Sequence, residues 1–558
     1  MSYNNKYKKG GFKSYGKKPW AKAPVEKEII DFSEVESQLT EYHKDVRESV
    51  LNGKNTIISA GPGTGKTWTI SRVVIPALEK SGKTKGMVFA FTNKNAGDFE
   101  KCISSPEIQT GTYHALLGRI VARELNSRRN LPDKKNLKQY PGKTVEMARE
   151  IFEGENPKVL NQIADLVNKA KMAAFGIPGN PSISDRQAWE KLAERFSINT
   201  GGEFGGEFGE ENEDGNVGID IIEAAQKLMV ETIKNKREID FADMPYFVIY
   251  YDLPLEELDF VIMDEAQDIP KILLEFLAKY NEKGAQIIAV GDEKQAINGF
   301  AGGMDYAIRS IIERVNGDKK DLKESFRVSI AAAELCNRVF PDSVIPWKGA
   351  KEGGVENISW EQFQDLIPEM EDGDVILSRT HRNLIPIATE YIRKGREFVY
   401  KGISVWVDKA RKSLFMATRK ANSTDFFAIT IAMDDFLREK EEQNSGKSKM
   451  PAWLTELQEN VSILNELIQG IQNNGGDYKT LLKYLDILDA ADNNKKGLPV
   501  FSTIHASKGG EWPRVYIIGS CISPLAKSEI EKDAETCVEF VAYSRSSDRL
   551  IFIPENGK

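Results

Sequence analysis

Cysteine is scarce. Cys102, Cys336, Cys521 and Cys537 lie far apart with no CxxC pair, which argues against a disulfide framework or a zinc ribbon and fits a reducing cytosol. Long apolar runs are missing as well. No stretch approaches the roughly 18 uninterrupted apolar residues of a spanning helix. The amino terminus is a Lys/Gly/Tyr tract without an apolar leader segment, so the chain is expected to avoid the membrane and stay in the compartment where it is made. Acids are absent from residues 1–25, which hold seven lysines; the other 69 of 76 bases face all 84 acids, a balance of −15. Such an arm can touch nucleic-acid phosphates or an acidic partner, or remain a solvated tail. What remains, 558 residues with 41% hydrophobic and 29% charged side chains, suits a soluble chain of several domains.

After the arm, an amphipathic segment from Val35 to Leu51 leads into the apolar strand Thr56–Ala60. Further buried strands are expected at 87–91, 260–263, 286–290, 374–378, 500–504, 514–518 and 550–553, with helical patterns between them. That alternation predicts parallel α/β sheets, in a number that suits two domains. Two mostly helical stretches, 122–240 and 401–498, interrupt the rhythm and read as insertions. Within the first, residues 201–215 carry six glycines and six acids, the composition of a mobile loop. The GGEF tetrad in that loop lacks the surrounding cyclase domain that cyclic-dinucleotide synthesis would need.

Gly61-Pro62-Gly63-Thr64-Gly65-Lys66-Thr67 follows the first strand and opens a helical run, the context a P-loop requires. Its glycines let backbone N–H groups turn onto phosphates, Lys66 supplies a point charge for the β and γ oxygens, and the Thr67 hydroxyl suits Mg²⁺. Asp264-Glu265-Ala266-Gln267-Asp268 follows the apolar run 260–263, at a strand's carboxyl end, where open α/β sheets bind ligands. Asp264 is expected to hold Mg²⁺, and Glu265 to orient and deprotonate the water attacking the γ-phosphate. Hydrolysis of ATP with Mg²⁺ is the predicted chemistry.

Seven further segments complete a resemblance to the UvrD/Rep/PcrA-like helicases of superfamily 1. Met87 to Ala96 resembles that family's TFTNKAA segment, Thr110 to His114 its TxH segment, and Ile239 to Met244 the DFxDL stretch before DEAQD. Gly291 to Phe300 is similar to GDxxQxIYxF, Leu322 to Arg327 to LxxNYR, Thr503 to Trp512 to TxHxxKGLEF, and Phe540 to Arg545 to YVAxTR. The resemblance implies an α/β fold of two RecA-like P-loop domains with two mainly helical insertions. It divides the chain into a disordered basic arm (1–27), domain 1A (28–121 and 241–321), insertion 1B (122–240), domain 2A (322–400 and 499–558) and a small insertion 2B (401–498).

By the same resemblance, Gln295 senses the γ-phosphate, Arg327 and Arg545 act as arginine fingers, and Glu511 contacts the ribose. Phe91, Thr92, Asn93, Thr112, Tyr113, His114, Phe300, His505 and Lys508 face DNA, with Phe91, Tyr113 and Phe300 placed to stack on bases. The chain departs from the family pattern at four points. His43 replaces the glutamine that reads adenine, and Trp68 replaces an arginine after the P-loop. Phe326 stands where the family has an adenine-stacking tyrosine, and Asn298 and Ala301 replace a tyrosine and an arginine in the coupling segment. Trp68 and Phe326 are therefore expected to sandwich the base, with relaxed choice between ATP, dATP and GTP.

The expected activity is an ATP-dependent DNA helicase, stimulated by single-stranded DNA, moving 3′ to 5′ and unwinding duplex. Its alternative is a single-strand translocase that removes proteins or remodels recombination intermediates. The expected partners are single-stranded and tailed duplex DNA, with a replication or repair protein recruited through the Lys-rich arm. The chain is expected to be a monomer in a bacterial cytosol or nucleoid. Its end thirteen residues after Arg545 would suit a phage-encoded enzyme acting in the host cytoplasm.

Overall fold

The computed structural model describes residues 32–90, 93–103, 105–127, 138–196, 198, 219–297, 303–304, 306–444, 452–493, 495–523 and 529–555. The basic arm, the acidic loop 201–215, Phe91, Thr92, Asn298, Phe300, Ala301 and the side chain of Asn93 lie outside the described residues.

Two six-stranded, wholly parallel sheets organise the molecule. The first contains β1 (Thr56–Ala60), β2 (Gly86–Ala90), β3 (Ile108–Thr112), β4 (Phe260–Met263), β5 (Gln286–Gly291) and β6 (Asp318–Leu322), in the order β3-β2-β4-β5-β1-β6. The second contains β7 (Gly354–Asn357), β8 (Asp374–Ser378), β9 (Val399–Lys401), β10 (Val500–Thr503), β11 (Trp512–Ile518) and β12 (Ser546–Ile553), in the order β7-β12-β11-β8-β10-β9. Strands β3, β6, β7 and β9 carry no long apolar run, and periodicity alone had not marked them. β6, Asp-Lys-Lys-Asp-Leu, is charged in four of its five residues and is an edge strand held by its register with β1.

The inner strands are buried on both faces, which is why they read as continuous apolar runs. Successive residues alternate between two cores. Ile57, Val261 and Ile287 join one, and Ile58, Ile262 and Ile288 the other. The first of these cores continues into the helices Lys143–Ile151, Pro157–Met172, Arg186–Arg195 and Ile221–Lys234 of the first interruption through Leu160, Val167, Trp189 and Leu228. The second sheet repeats the arrangement. Ile376 and Phe501 share a core with the helices Ile403–Ala421, Phe426–Asn444, Ala452–Asn473 and Tyr478–Ala491, whereas Val375, Leu377 and Val515 face Val541. Each helical segment is thus packed onto one face of its sheet. The segment expected as one amphipathic helix is two, Phe32–Gln38 and Glu41–Leu51, divided where Thr40 caps the second.

Candidate active site and nucleic-acid interface

Parallel strands end on the same side, so β1, β4 and β5 deliver their following loops to one edge of the first sheet. β5 lies between β1 and β4, and the P-loop after β1 therefore meets the acidic segment after β4 across a single strand. Within the loop the Thr64 hydroxyl donates to the Gly61 carbonyl at 2.9 Å. Gly63 has φ +71°, and a Cβ there would sit 2.4 Å from the Arg327 Cβ. Only glycine fits both the backbone and the space. The approach has a cause that spacing does not reveal: Ser325 Oγ donates to the Pro62 carbonyl at 2.7 Å, and the Phe326 N–H donates to the Gly63 carbonyl at 3.0 Å. The segment that carries Arg327 is seated on the phosphate loop.

Lys66 Nζ lies 2.8 Å from Glu265 Oε2, which also receives Gln267 Nε2 at 2.6 Å. Burial opposes ionisation of Glu265, but the charges of Lys66 and Lys508 and these hydrogen bonds outweigh it and hold the carboxyl well below its usual range. Asp264 goes the other way: burial first, then the neighbouring Glu265 charge, pushes it up. Burial likewise works against the Lys66 ammonium, and Glu265 and Asp264 overcome it to keep the lysine above its ordinary value. Glu265 has φ +50°, a left-handed conformation that a glutamate occupies only under surrounding constraint.

Asp264 is 3% exposed, and its Oδ1 has no hydrogen-bond partner among the described residues, while Oδ2 receives Asn95 Nδ2 at 3.3 Å. A buried carboxylate oxygen left over in this way fits a hard divalent cation, with the half-buried Thr67 hydroxyl as a second oxygen donor. Among the described residues no group of three or more His, Cys, Asp or Glu is placed to hold a metal. A cation here would therefore complete its shell with phosphate oxygens and water, the habit of Mg²⁺.

The second sheet faces this edge with three cations. Arg545 is fully buried and spends its fork on the Val541 carbonyl (2.9 Å), the Gly510 carbonyl (3.2 Å), Ser544 Oγ (2.8 Å) and, across the cleft, Gln295 Oε1 (3.1 Å). Gln295 Nε2 in turn donates to Asp292 Oδ2 at 2.7 Å, which completes a chain from β5 to the second sheet's domain. Burial, and then the Arg327 charge, pulls the Arg545 guanidinium below its ordinary range. Lys508 Nζ bridges the same cleft to Asp268 Oδ2 at 2.7 Å and the Gln295 carbonyl at 2.6 Å. Arg327 Nε engages Glu511 Oε2 at 2.5 Å, so the carboxylate expected at a ribose is held by a guanidinium.

His43, in the first turn of the helix Glu41–Leu51, has its ring edge-on to Trp68, 5.1 Å between centroids. Phe326 is exposed and pairs with Trp347 at 6.2 Å. Thr112 ends β3 and its hydroxyl receives the Ala115 N–H at 3.4 Å. Tyr113 and His114 follow, their rings 3.9 Å apart, and His114 continues edge-on to Phe241 at 5.5 Å. Burial draws His114 down to about 4, and burial followed by the Arg379 charge does the same to His505, so both rings are neutral at neutral pH. Phe241 is 49% exposed although its neighbours Asp240 and Asp243 are buried. Sequence reasoning gave it no role, and the one available signal was an aromatic inside an otherwise acidic motif. Gln267, Asp268, Asn95 and Ser325 were missed for another reason, because Asp292, Lys508, Asp264 and Pro62, which they meet, lie in distant loops of the chain.

Two six-stranded parallel sheets that close over a phosphate loop, an acidic pair and opposed arginines define a P-loop nucleoside triphosphatase of two RecA-like domains. The UvrD/REP helicase N-terminal domain matches residues 41–316, and the UvrD-like helicase C-terminal domain matches residues 179–556. The chain belongs to the UvrD/Rep family of superfamily 1: it is an ATP-hydrolysing DNA helicase of a family that uses ATP with a divalent metal. No curated protein sequence matches it. Among the described residues no helix is long and apolar enough to cross a membrane.

Proposed function

We propose that the protein is a motor that hydrolyses ATP when single-stranded DNA is bound, moves 3′ to 5′ along that strand and separates duplex ahead of it. The observation that carries this reading is the chain Asp292–Gln295–Arg545, together with Lys508–Asp268: polar residues beside the phosphate-loop edge of one sheet are bonded directly to cations of the other sheet's side. A change at the phosphate can then alter the fit of the two domains, which is the requirement for converting hydrolysis into movement.

The residues divide the chemistry as follows. Gly61 to Gly65 cradle the phosphates, and Lys66 exchanges Glu265 for the β and γ oxygens. Glu265, released but still ionised, accepts a proton from the water whose oxygen attacks the γ-phosphorus, with ADP as leaving group. Thr67 and Asp264 would hold Mg²⁺, which would supply charge neutralisation on the transferred group. Arg327 and Arg545 supply the opposing charge, a contribution of about 10³–10⁵ in rate for a single finger. Trp68, His43 and Phe326 surround the base. Thr112, Tyr113, His114, His505 and Lys508 line the DNA path, to which we add Phe241; Phe91, Thr92, Asn93 and Phe300 are proposed for the same path. In this reading residues 28–121 with 241–321, and 322–400 with 499–558, are the two motor domains. The segments 122–240 and 401–498 are their insertions, and the active form is a monomer in the cytosol or nucleoid serving replication, repair or recombination.

The test is steady-state hydrolysis with and without single-stranded DNA, with unwinding of duplexes carrying a 3′ or a 5′ overhang in the same preparation. Stimulated hydrolysis with unwinding from the 3′ tail alone is expected. Unwinding from the 5′ tail would refute the polarity, and stimulation without unwinding would leave a translocase.

A further inference from the structure

Arg379 follows Ser378 at the end of β8 and is turned onto the helix Glu529–Tyr543. Its Nε donates to Glu535 Oε2 at 2.9 Å and a terminal nitrogen donates to Oε1 at 2.6 Å, so guanidinium and carboxylate meet fork to fork. Glu535 Oε2 also receives the Ser523 N–H at 2.8 Å. Burial opposes the charge of Glu535, which is 9% exposed, but the Arg379 and Ser523 hydrogen bonds outweigh it and hold the carboxyl below its usual range. After burial, the charges of Arg379 and Glu535 are the largest influences on the ring of His505, which follows the end of β10. The far end of the same helix seats Arg545, whose Nε donates to the Val541 carbonyl at 2.9 Å and whose fork reaches Gln295. From Glu535 to Val541 the helix advances about 9 Å. Between them Cys537 Sγ meets the Glu293 carbonyl at 3.6 Å, in the turn that carries Gln295, while Val538 and Val541 are buried against Val375, Leu377 and Val515 of the sheet.

We propose that Arg379 and Glu535 are positioning residues for the motor: their fork ties the end of β8, beside His505, to the helix that seats Arg545, so that DNA on the His505 side changes how Arg545 stands against Gln295. The inference rests on the reading above, which places DNA at His505 and the Arg545 charge at the γ-phosphate. A fork of two parallel hydrogen bonds fixes orientation as well as distance, and a helix packed along its length moves as a unit. Occupation of the track is thereby passed to the residue that opposes the phosphate loop. Neither Arg379 nor Glu535 touches nucleotide in this role. Local pattern does not mark them, because the two partners lie 156 residues apart in the chain.

The experiment measures, on the full chain with Mg²⁺, kcat and KM for ATP without DNA and with saturating oligo(dT), together with oligo(dT) affinity by fluorescence anisotropy. Glu535→Gln keeps the shape of the side chain and an acceptor for Ser523 but removes the charge on which the fork depends. It is expected to lower the stimulation of kcat by oligo(dT) about tenfold, in the range by which single residues alter coupling between sites. Hydrolysis without DNA, KM for ATP and oligo(dT) affinity should each stay within about threefold of the wild type. Arg379→Met combined with Glu535→Leu removes both charges from the buried site, a replacement that is often neutral or stabilising. This double variant should unfold no lower than the wild type by calorimetry and still lack the stimulation. Undiminished stimulation in Glu535→Gln, its return in the apolar pair, or an equal loss with and without DNA would each overturn the proposal, the second by showing that the fork only holds the fold. A wild type that oligo(dT) does not stimulate would instead remove the motor reading, and the positioning roles with it.

Discussion

Lys66 stands between two adjacent carboxylates with opposite tendencies. Glu265, bonded to the lysine at 2.8 Å and to Gln267, is held ionised, whereas buried Asp264 is pushed toward its neutral form and keeps one oxygen unsatisfied. That contrast separates a base from a metal ligand more sharply than their adjacency in the sequence does. Lys66→Ala is expected to abolish hydrolysis and strand separation together, a loss of 10³-fold or more if the lysine acts on the phosphates in the transition state. Single-stranded DNA affinity should stay within about threefold of the wild type. Circular dichroism checks the fold and fluorescence anisotropy the affinity; retained hydrolysis would place the phosphate site elsewhere.

Among the elements, the join between the first helical segment and its sheet is unusual in being ionic. Lys143 Nζ donates to Asp243 Oδ2 at 2.7 Å and to the carbonyls of Thr232 and Asn235, and Lys171 Nζ donates to Asp243 Oδ1 at 2.7 Å, with both lysines and the aspartate at 0% side-chain exposure. Asp240 and Asp243 also cap each other's backbone N–H groups, at 2.9 and 3.1 Å, and the tight loop so formed holds Phe241 out beside His114. The helices Lys143–Ile151 and Pro157–Met172 are thus locked to the turn that presents an aromatic ring. Asp243→Ala would strand two buried ammonium groups and is expected to cost about 3–5 kcal/mol. A thermal unfolding midpoint several degrees lower, read by calorimetry, is the expected outcome, and an unchanged midpoint would mean that the lysines find other acceptors.

Across the whole molecule, charge is polarised: the seven lysines of residues 1–25 precede a remainder of net −15. Deleting them is expected to weaken single-stranded DNA binding and flatten its salt dependence, by up to about five in the slope of log K against log salt if every lysine meets a phosphate. An unaltered slope, measured by titration across salt concentrations, would return the arm to a solvated tail. At the same scale, the candidate motor residues are bonded to partners far away in the chain. Arg327 pairs with Glu511 on its own side of the cleft, whereas Lys508 reaches Asp268 and Arg545 reaches Gln295 across it, so residues proposed for nucleotide and for DNA are bonded from one sheet's side to the other.

The sequence by itself determined the chemistry. Residues 61–67 after an apolar strand and 264–268 after another are local patterns whose backbone requirements are met within a few residues, and the apolar strands of both sheets were legible because burial on two faces leaves an unbroken hydrophobic run. The tertiary structure alone decided the pairings. Edge strands such as β6 are held by register and not by composition, Ser325 and Phe326 reach Pro62 and Gly63 from more than 250 residues away, and the tautomer of His43 follows from a cap formed with Thr40. Phe241 becomes exposed because Asp243 is anchored by lysines from two other helices and Asp240 is tied back to Asp243. Contacts between residues distant in the chain leave no periodicity to read, since what fixes them is packing and charge satisfaction in three dimensions.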